Sequence, residues 1–347
     1  MFDFSYSDEQ KLLRENIRKW GVENLPEEKI AEAYINRGID SAIAKSWVDA
    51  GFGKLGIPAE YGGTPCDHLT MAIAIEELCH IGGNIPMAPN ALIMFDVCEF
   101  GTEEQIKYAV DFYYENGYPP YCLAISEPEA GSANIYMSTT ATKKDGKVII
   151  NGTKTWVTFA EHANGFIVVC KDEDPSPENK SMSMYLVDKD TPGVVLEPLN
   201  KIGMQINPFA MVHFNNVEVE ETALLGEAGK GFLQLMKNFE WERCVLLAEL
   251  LGEAQAAMDD ACAWTNERQQ FGVALAVNAA VLLLADTDTF LKGDFLFARS
   301  AFFLLRCSAW LRRAEKRLLS VGSVLSQLLM MSGRFEPAVF GIIPHLL

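Results

Sequence analysis

The chain has 347 residues, of which 49% are hydrophobic and 22% charged. This length and composition predict a soluble globular protein of two or three domains and exclude a disordered chain, a collagen and a disulfide mini-protein. The net charge of −18 argues against nucleic acid and anionic membranes as general partners. The eight cysteines form no CxxC or Cys/His spacing, and the N-terminus is unlike a signal peptide. We therefore expect no bound metal and a reducing, cytoplasmic location.

The first 120 residues are predicted to be helical. Ser7 and Gln10 form a capping-box pattern, and an apolar stripe follows through Trp20. Further helices are predicted over residues 41–50, with Gly51 as the stop signal, and over 71–78 and 102–114.

Short β-prone runs follow between residues 121 and 220. Asp145-Gly146 and Asn151-Gly152 are dipeptides that favour two-residue hairpin turns, so the sequence predicts a turn at each. Further strands are predicted at 166–170, 182–187, 193–196 and 211–214.

Helical periodicity returns near Gly231, with one apolar face running from Val245 through Leu251, Ala254 and Met258. The order of helices, strands and helices predicts an α+β fold. Its expected parts are an N-terminal all-α domain (1–120), a central β-barrel-like domain (121–228), the first helix of an incomplete or divergent C-terminal helical bundle (229–272) and a divergent helical tail (273–347).

The tail differs from the rest of the chain in charge. Residues 1–272 carry 21 Lys and Arg against 42 Asp and Glu, whereas residues 273–347 carry 8 against 5. The uncharged run Val273–Ala285 is too short to span a membrane, so amphipathic helices are the preferred interpretation of the tail and no membrane partner is expected.

The segment 121–134, YCLAISEPEAGSAN, is the first candidate binding segment. Its small residues Gly131 and Ser132, with Ser126 before them, would let a flat ring or a phosphate approach the backbone. An ordinary strand end and loop would have the same pattern. Trp156 and Thr158 alternate onto one face of a later strand and would suit a polar-edged ring such as a flavin, although a core tryptophan is an equal alternative.

A third cluster holds Glu240, Glu242 and Arg243, and it is followed by the segment NERQQFG, which contains Arg268. Taken alone, a carboxylate beside an arginine is usually a surface pair or a structural salt bridge.

The histidines and glycines offer no HxxxH zinc motif, GxSxG elbow or P-loop.

Together these segments resemble the acyl-CoA dehydrogenase family over about residues 1–272. The resemblance is carried by IPAEYGG, IAIEEL, SEPEAGSAN, NGTKTWVT, IGM, FNNVEVEE, WERCVLLAELLG and NERQQFG, in this order. Trp241-Glu242-Arg243 and the NERQQFG ending are similar to the crotonobetainyl-CoA reductase members.

The resemblance implies bound FAD, an acyl-CoA substrate, an electron-transfer flavoprotein as redox partner and a homo-oligomer, either a tetramer or a dimer. The implied reaction is removal of an α-proton by a carboxylate and transfer of the β-hydride to flavin N5, or the reverse enoyl-CoA reduction. A non-catalytic remnant of the family and an oxygen-using flavoenzyme on the same fold are the alternatives.

Residue roles carry over from the family motifs. Glu242 matches the position that some members use for the catalytic base, and Ser132, Glu240 and Arg243 match positions near the substrate. The positions that match cofactor contacts are Ile125, Ser126, Gly131, Ser132, Trp156, Thr158, Arg268, Gln270 and Phe271, the last three toward the FAD of a neighbouring subunit.

The chain departs from the family pattern in two places. Ala133 stands where an aspartate is usual, and residues 273–347 contain no Gly-Gly-Xaa-Gly turn and no late EGTS-like glutamate. We interpret the tail as a frameshifted or recombined end, with a divergent domain as the alternative.

Overall fold

A computed structural model describes residues 5–82, 87–176, 178–270 and 272–276. Phe271 and residues 277–347, which make up most of the predicted tail (273–347), lie outside the described residues. The chain divides into two compact units, the first formed by residues 1–201 and 205–252 and the second by residues 202–204 and 253–347. In the described part of the chain, no helix is long and apolar enough to cross a membrane.

The described residues before β1 form six α-helices joined by loops and short 3₁₀ turns. They are α1 (Asp8–Asn24), α2 (Glu27–Ile35), α3 (Ser41–Asp49), α4 (His68–Gly82), α5 (Met87–Phe100) and α6 (Glu103–Asn116). The predicted capping box of α1 is confirmed, because the Ser7 side chain accepts from the backbone of Gln10 and the Gln10 side chain accepts from the backbone of Ser7. Gly51, with φ of 90°, follows α3 as the sequence predicts.

A sheet domain follows the helices. Its strands are β1 (Tyr121–Ala124), β2 (Thr140–Lys144), β3 (Lys147–Thr158), β4 (Gly165–Asp172), β5 (Met182–Asp188), β6 (Val194–Leu199), β7 (Phe209–Glu220) and β8 (Leu224–Leu225). Their order is β6-β7-β3-β2-β4-β5-β8, and β1 pairs with β4 in parallel. The predicted α+β class, with a helical N-terminal region, a central sheet and a following helix, is thus confirmed.

One of the two predicted hairpin turns is wrong. Asp145 and Gly146 do form the turn between β2 and β3, with φ of 53° and 78°. Asn151 and Gly152 lie inside β3, where the register to β7 shifts between Ile150 and Gly152. The φ of 152° at Gly152 belongs to this irregularity of the strand, so the glycine makes a bulge-like break instead of a turn.

Both faces of β4 are buried, because helices cover one face of the sheet. Ile167 and Val169 point into a core that includes Met94 and Val97 of α5. Phe166 and Val168 point into a second core between the strands. The alternation follows the two-residue period of a strand. β1, which pairs with β4, lies against α5.

A long helix, α7 (Gly231–Glu267), follows the sheet and leads to the short hairpin of β9 (Gln269–Gln270) and β10 (Val273–Ala274). Val245 and Ala248 of α7 are buried. The predicted helix is present, but its apolar stripe is not buried throughout, since Leu251 and Met258 are 60% and 43% exposed and Ala254 is exposed. An apolar stripe shows which face of a helix can be covered, but burial also requires an element that covers it.

Candidate functional site

The segment after β1 is held against the end of β3. Ile125 packs against the core that contains α5 residues and Leu235 of α7. The backbone N–H of Thr155 donates to the carbonyl of Ser126 at 2.8 Å. The two strand ends therefore present Ser126 and the residues after Thr155 next to each other.

A buried ion pair fixes this junction. The Glu127 carboxylate accepts from Lys154 Nζ at 2.9 Å, from the Ser138 N–H and hydroxyl at 2.6 and 2.8 Å, and from the Thr139 N–H at 2.9 Å. Lys154 Nζ also donates to the carbonyl of Ile125 at 2.9 Å. The pair thus ties both ends of the 127–139 loop to β3.

The protonation of this pair follows from its surroundings. Burial alone would raise the pKa of Glu127, but the Lys154 ammonium and the hydrogen bonds lower it to about 2. Burial also lowers the pKa of Lys154, and the Glu127 carboxylate opposes that shift. The Glu127 charge at neutral pH is therefore well compensated by its neighbours.

Gly131 and Ser132 lie at the exposed tip of the same loop. Reciprocal backbone hydrogen bonds between Glu127 and Ala130, at 2.9 and 3.1 Å, form a tight turn just before them. A Cβ added at Gly131 would meet nothing within 4 Å. The protein itself leaves this backbone open, so a ligand can approach it closely.

Trp156 has an unusual conformation and an unusual exposure. Its φ is 58°, in the left-handed region that a bulky residue rarely adopts, and its side chain is 59% exposed. The register to β7 shifts a second time between Lys154 and Val157, which is where Trp156 lies. Val157 is buried and Thr158 is half-buried, so Trp156 and Thr158 share the outward face, as the alternation predicts.

The part of α7 within the first unit carries the predicted carboxylates. Trp241 is 4% exposed and stacks on His68 with a centroid distance of 4.7 Å, while Phe239 packs against the same core as Ile125. Glu242 is half-buried, and burial raises its pKa while the adjacent Arg243 guanidinium opposes the shift.

The remaining two predicted substrate positions are open to solvent. Glu240 and Arg243 are both exposed on α7. This exposure leaves the Arg243 guanidinium accessible to an anionic ligand.

The predicted cofactor residues at the end of the described chain belong to the second unit. Arg268 is exposed at the end of α7, and its backbone N–H donates to the Trp264 carbonyl at 2.9 Å. Gln270 pairs with Val273 in the β9–β10 hairpin. These residues are not part of the first unit, which contains the other predicted site residues.

Four buried polar residues near the site were missed by sequence reasoning: Glu127, Lys154, Asp96 and Asn238. The first two lie inside the motifs SEPEAGSAN and NGTKTWVT, where they look like ordinary loop and strand polar residues. The burial of Asp96 could have been suspected from the sequence, since Asp96 is a lone carboxylate in the apolar run ALIMFDV.

Within the described ranges, no group of three or more His, Cys, Asp or Glu could hold a metal ion.

Comparison with known families gives three consecutive matches. Residues 7–111 match the acyl-CoA dehydrogenase N-terminal domain, residues 122–217 the middle domain and residues 229–288 the C-terminal domain. The third match extends past Gly272, so similarity to the family reaches further than the sequence motifs predict.

Individual relatives agree with the family match. The chain is 37% identical over 279 residues to the probable acyl-CoA dehydrogenase YdiO of Escherichia coli strain K12, which covers 80% of this chain and 73% of the relative. Butyryl-CoA dehydrogenase from Megasphaera elsdenii is 26% identical with a TM-score of 0.73, covering 90% of this chain and 81% of that one. A chain solved in work on the electron transferring flavoprotein of Acidaminococcus fermentans is also 26% identical, with a TM-score of 0.74 and coverage of 90% and 80%. The chain belongs to the acyl-CoA dehydrogenase family.

Proposed function

We propose that the chain is an FAD-dependent acyl-CoA dehydrogenase in which Glu242 removes the α-proton of an acyl-CoA thioester, or returns it in the reverse enoyl-CoA reduction. Acyl-CoA dehydrogenases are flavoprotein oxidoreductases that depend on FAD. The observation that carries the proposal is a half-buried carboxylate with a raised pKa, positioned on α7 of a member of this family.

The first unit offers a set of residues that fits a flavin. The half-buried Ser126 and Thr158 supply hydroxyl groups, and the exposed Trp156 supplies a flat apolar face. Open backbone at Gly131 and the Ser132 hydroxyl beside it leave room for close contact. Ile125, which is packed against the core, would offer an apolar surface beside Ser126. Bound there, FAD would accept the β-hydride at N5 and so supply the redox half of the reaction.

Glu242 would supply the proton-transfer half. A carboxylate is a weak base in water, and partial burial strengthens it by disfavouring its charged form. Taking the α-proton neutralises Glu242 and leaves the bonding electrons on the substrate, where they form the new double bond as the β-hydride departs. In the reverse direction Glu242 returns the proton to the α-carbon.

Exposed groups on α7 and the 127–139 loop would hold the CoA thioester. Arg243 offers a cation to the anionic CoA, while Glu240 and Ser132 offer an acceptor and a hydroxyl group. In the second unit, Arg268, Gln270 and Phe271 would contact the FAD of a neighbouring subunit, which requires a homo-oligomer. An electron-transfer flavoprotein would exchange electrons with the reduced cofactor, and the protein would work in the cytoplasm.

The substitution Glu242→Gln tests the base. We expect FAD to stay bound, because the amide keeps the shape of the side chain, while anaerobic flavin reduction by substrate slows by about three orders of magnitude. Stopped-flow absorbance of the loaded protein with a panel of acyl-CoA thioesters measures that rate.

Glu104→Gln is the matched control, because it removes an exposed carboxylate from α6. Its flavin reduction should equal that of the parent protein. A Glu242→Gln protein that reduces FAD as fast as the control would show that another residue is the base.

A further inference from the structure

A second carboxylate, on α5, is buried beside the helix that carries Glu242. Asp96 of α5 is 1% exposed, and its Oδ1 accepts from Asn238 Nδ2 at 2.7 Å. Asn238 of α7 is 2% exposed. The hydrogen bond therefore joins two polar side chains that are almost completely removed from solvent.

The pair is incompletely satisfied as it stands. Asp96 Oδ2 and Asn238 Oδ1 are buried, and neither has a hydrogen-bond partner among the described residues. An ionised carboxylate with one neutral donor and no cation is poorly stabilised in such a site. Burial raises the pKa of Asp96 to about 7, with the Asn238 hydrogen bond opposing and the charge of Glu242 adding to the shift.

Asn238 links Asp96 to Glu242 in space. Asn238 and Glu242 are four residues apart on α7, and side chains at this spacing are neighbours on a helix surface. The negative charge of Glu242 acts on Asp96. When two carboxylates interact, a proton resides on the group that binds it more tightly, and burial favours the protonated form of Asp96.

Several charged groups on the elements around Asp96 have charged partners of their own: Glu77 of α4 with Arg14 and Arg18, Lys107 of α6 with Asp111, and Lys237 of α7 with Glu99 of α5. Glu103, Glu104 and Glu115 of α6 and Glu240 and Arg243 of α7 are exposed, and β1 carries no charged residue. Glu242 is the charged neighbour that acts on the pKa of Asp96.

We propose that Asp96, held by Asn238, keeps the proton that the two carboxylates share, so that Glu242 stays ionised and available as a base at neutral pH. Asp96 is then a positioning residue that acts through Glu242 and does not touch the substrate. This proposal rests on the proposed role of Glu242. As pH rises above neutral, Asp96 ionises too, and the added negative charge makes Glu242 a stronger base.

Infrared titration of the full-length protein tests the shared proton without any turnover. The parent protein should show the absorption of a protonated carboxyl group that disappears across neutral pH, and Asp96→Asn should lack it. Glu242→Gln should move the transition down by about half a pH unit or more, because it removes a nearby negative charge. Asp96→Asn keeps the shape and the hydrogen-bonding capacity toward Asn238, so the variant is expected to fold.

Glu104→Gln is the matched control, since it removes one exposed carboxylate from α6. Its transition should equal that of the parent protein. An Asp96→Asn spectrum identical to that of the parent, or a Glu242→Gln transition at the parent pH, would overturn the proposal.

The infrared result and the Glu242→Gln kinetics separate the two proposals. If the infrared shifts occur but Glu242→Gln still reduces FAD at the parent rate, the shared proton stands and the base assignment fails. If Glu242→Gln loses flavin reduction but the infrared transition is absent, the base assignment stands and the role of Asp96 fails.

Discussion

The residues that hold the candidate cofactor site are themselves held by a buried ion pair. Glu127 is 5% exposed and Lys154 is 0% exposed. Lys154 donates a hydrogen bond to the carbonyl of Ile125, and Glu127 accepts one from the backbone N–H of Thr139 at the end of the 127–139 loop. The left-handed backbone of Trp156 follows two residues after Lys154. Such a conformation costs about 1–3 kcal/mol and persists where the surroundings fix it.

Removing one member of this pair is expected to destabilise the protein strongly. Lys154→Met or Glu127→Gln should each lower the free energy of unfolding by about 3–5 kcal/mol, because each leaves a buried partner uncompensated. The double variant should lose less than the sum of the two, and urea unfolding at neutral pH measures all four proteins. Additive losses would contradict a direct interaction between the two side chains.

At this scale the sequence predicts the exposed residues of the candidate site better than the buried residues that support them. Trp156 and Thr158 follow from strand alternation, and Gly131 and Ser132 from their small size. Glu127 and Lys154 are different, because a charged residue in a strand or loop is normally solvated. Only the fold shows that Glu127 and Lys154 form an ion pair and that Ser138 donates hydrogen bonds to the same carboxylate.

Among the elements, β3 shows how pairing with a neighbouring strand overrides a local signal. Asn-Gly favours a tight turn, yet β3 continues through it to pair with β7. The Asn151 side chain accepts from the backbone N–H of Asn216 at 2.8 Å, and Gly152 lies against Thr139. The Asp145-Gly146 turn was predictable because β2 and β3 pair directly on either side of it.

Gly146 of the β2–β3 turn and Gly152 of β3 should therefore respond differently to alanine. A Cβ at Gly152 would lie 2.6 Å from Thr139 Cα, whereas a Cβ at Gly146 would meet nothing within 4 Å. Gly146→Ala should cost about 1–2 kcal/mol for its left-handed backbone alone, and Gly152→Ala should cost more because of the added clash. Thermal unfolding compares them, and equal costs would show that Gly152 is not needed for close packing.

The long helix α7 was predictable in its period but not in its burial. Val245 and Ala248 are covered by the helices of the first unit. Leu251 of the same stripe is exposed. Periodicity does not predict this difference, because it cannot specify which element will cover each turn of the helix. Glu242 and Asn238 lie on the part of the helix that is at least partly buried. Burial there raises the pKa of the Glu242 carboxyl group.

For the whole molecule, charge constrains how a substrate can bind. Residues 1–272 carry twice as many acidic as basic residues, so the field of the protein opposes a polyanion such as CoA. Binding then depends on local cations, and the exposed Arg243 is the one nearest in sequence to Glu242. The family and the order of its domains were predictable because several motifs occur in one order, although no single motif was specific.

The visible absorption spectrum of the purified full-length protein, before and after anaerobic addition of acyl-CoA thioesters, tests the central proposal most directly. We expect a flavin band that bleaches with one class of acyl-CoA, and the thioester that bleaches it would identify the substrate class. A protein that shows no flavin band even after FAD is added, or a band that no acyl-CoA bleaches, would contradict the proposed dehydrogenase activity.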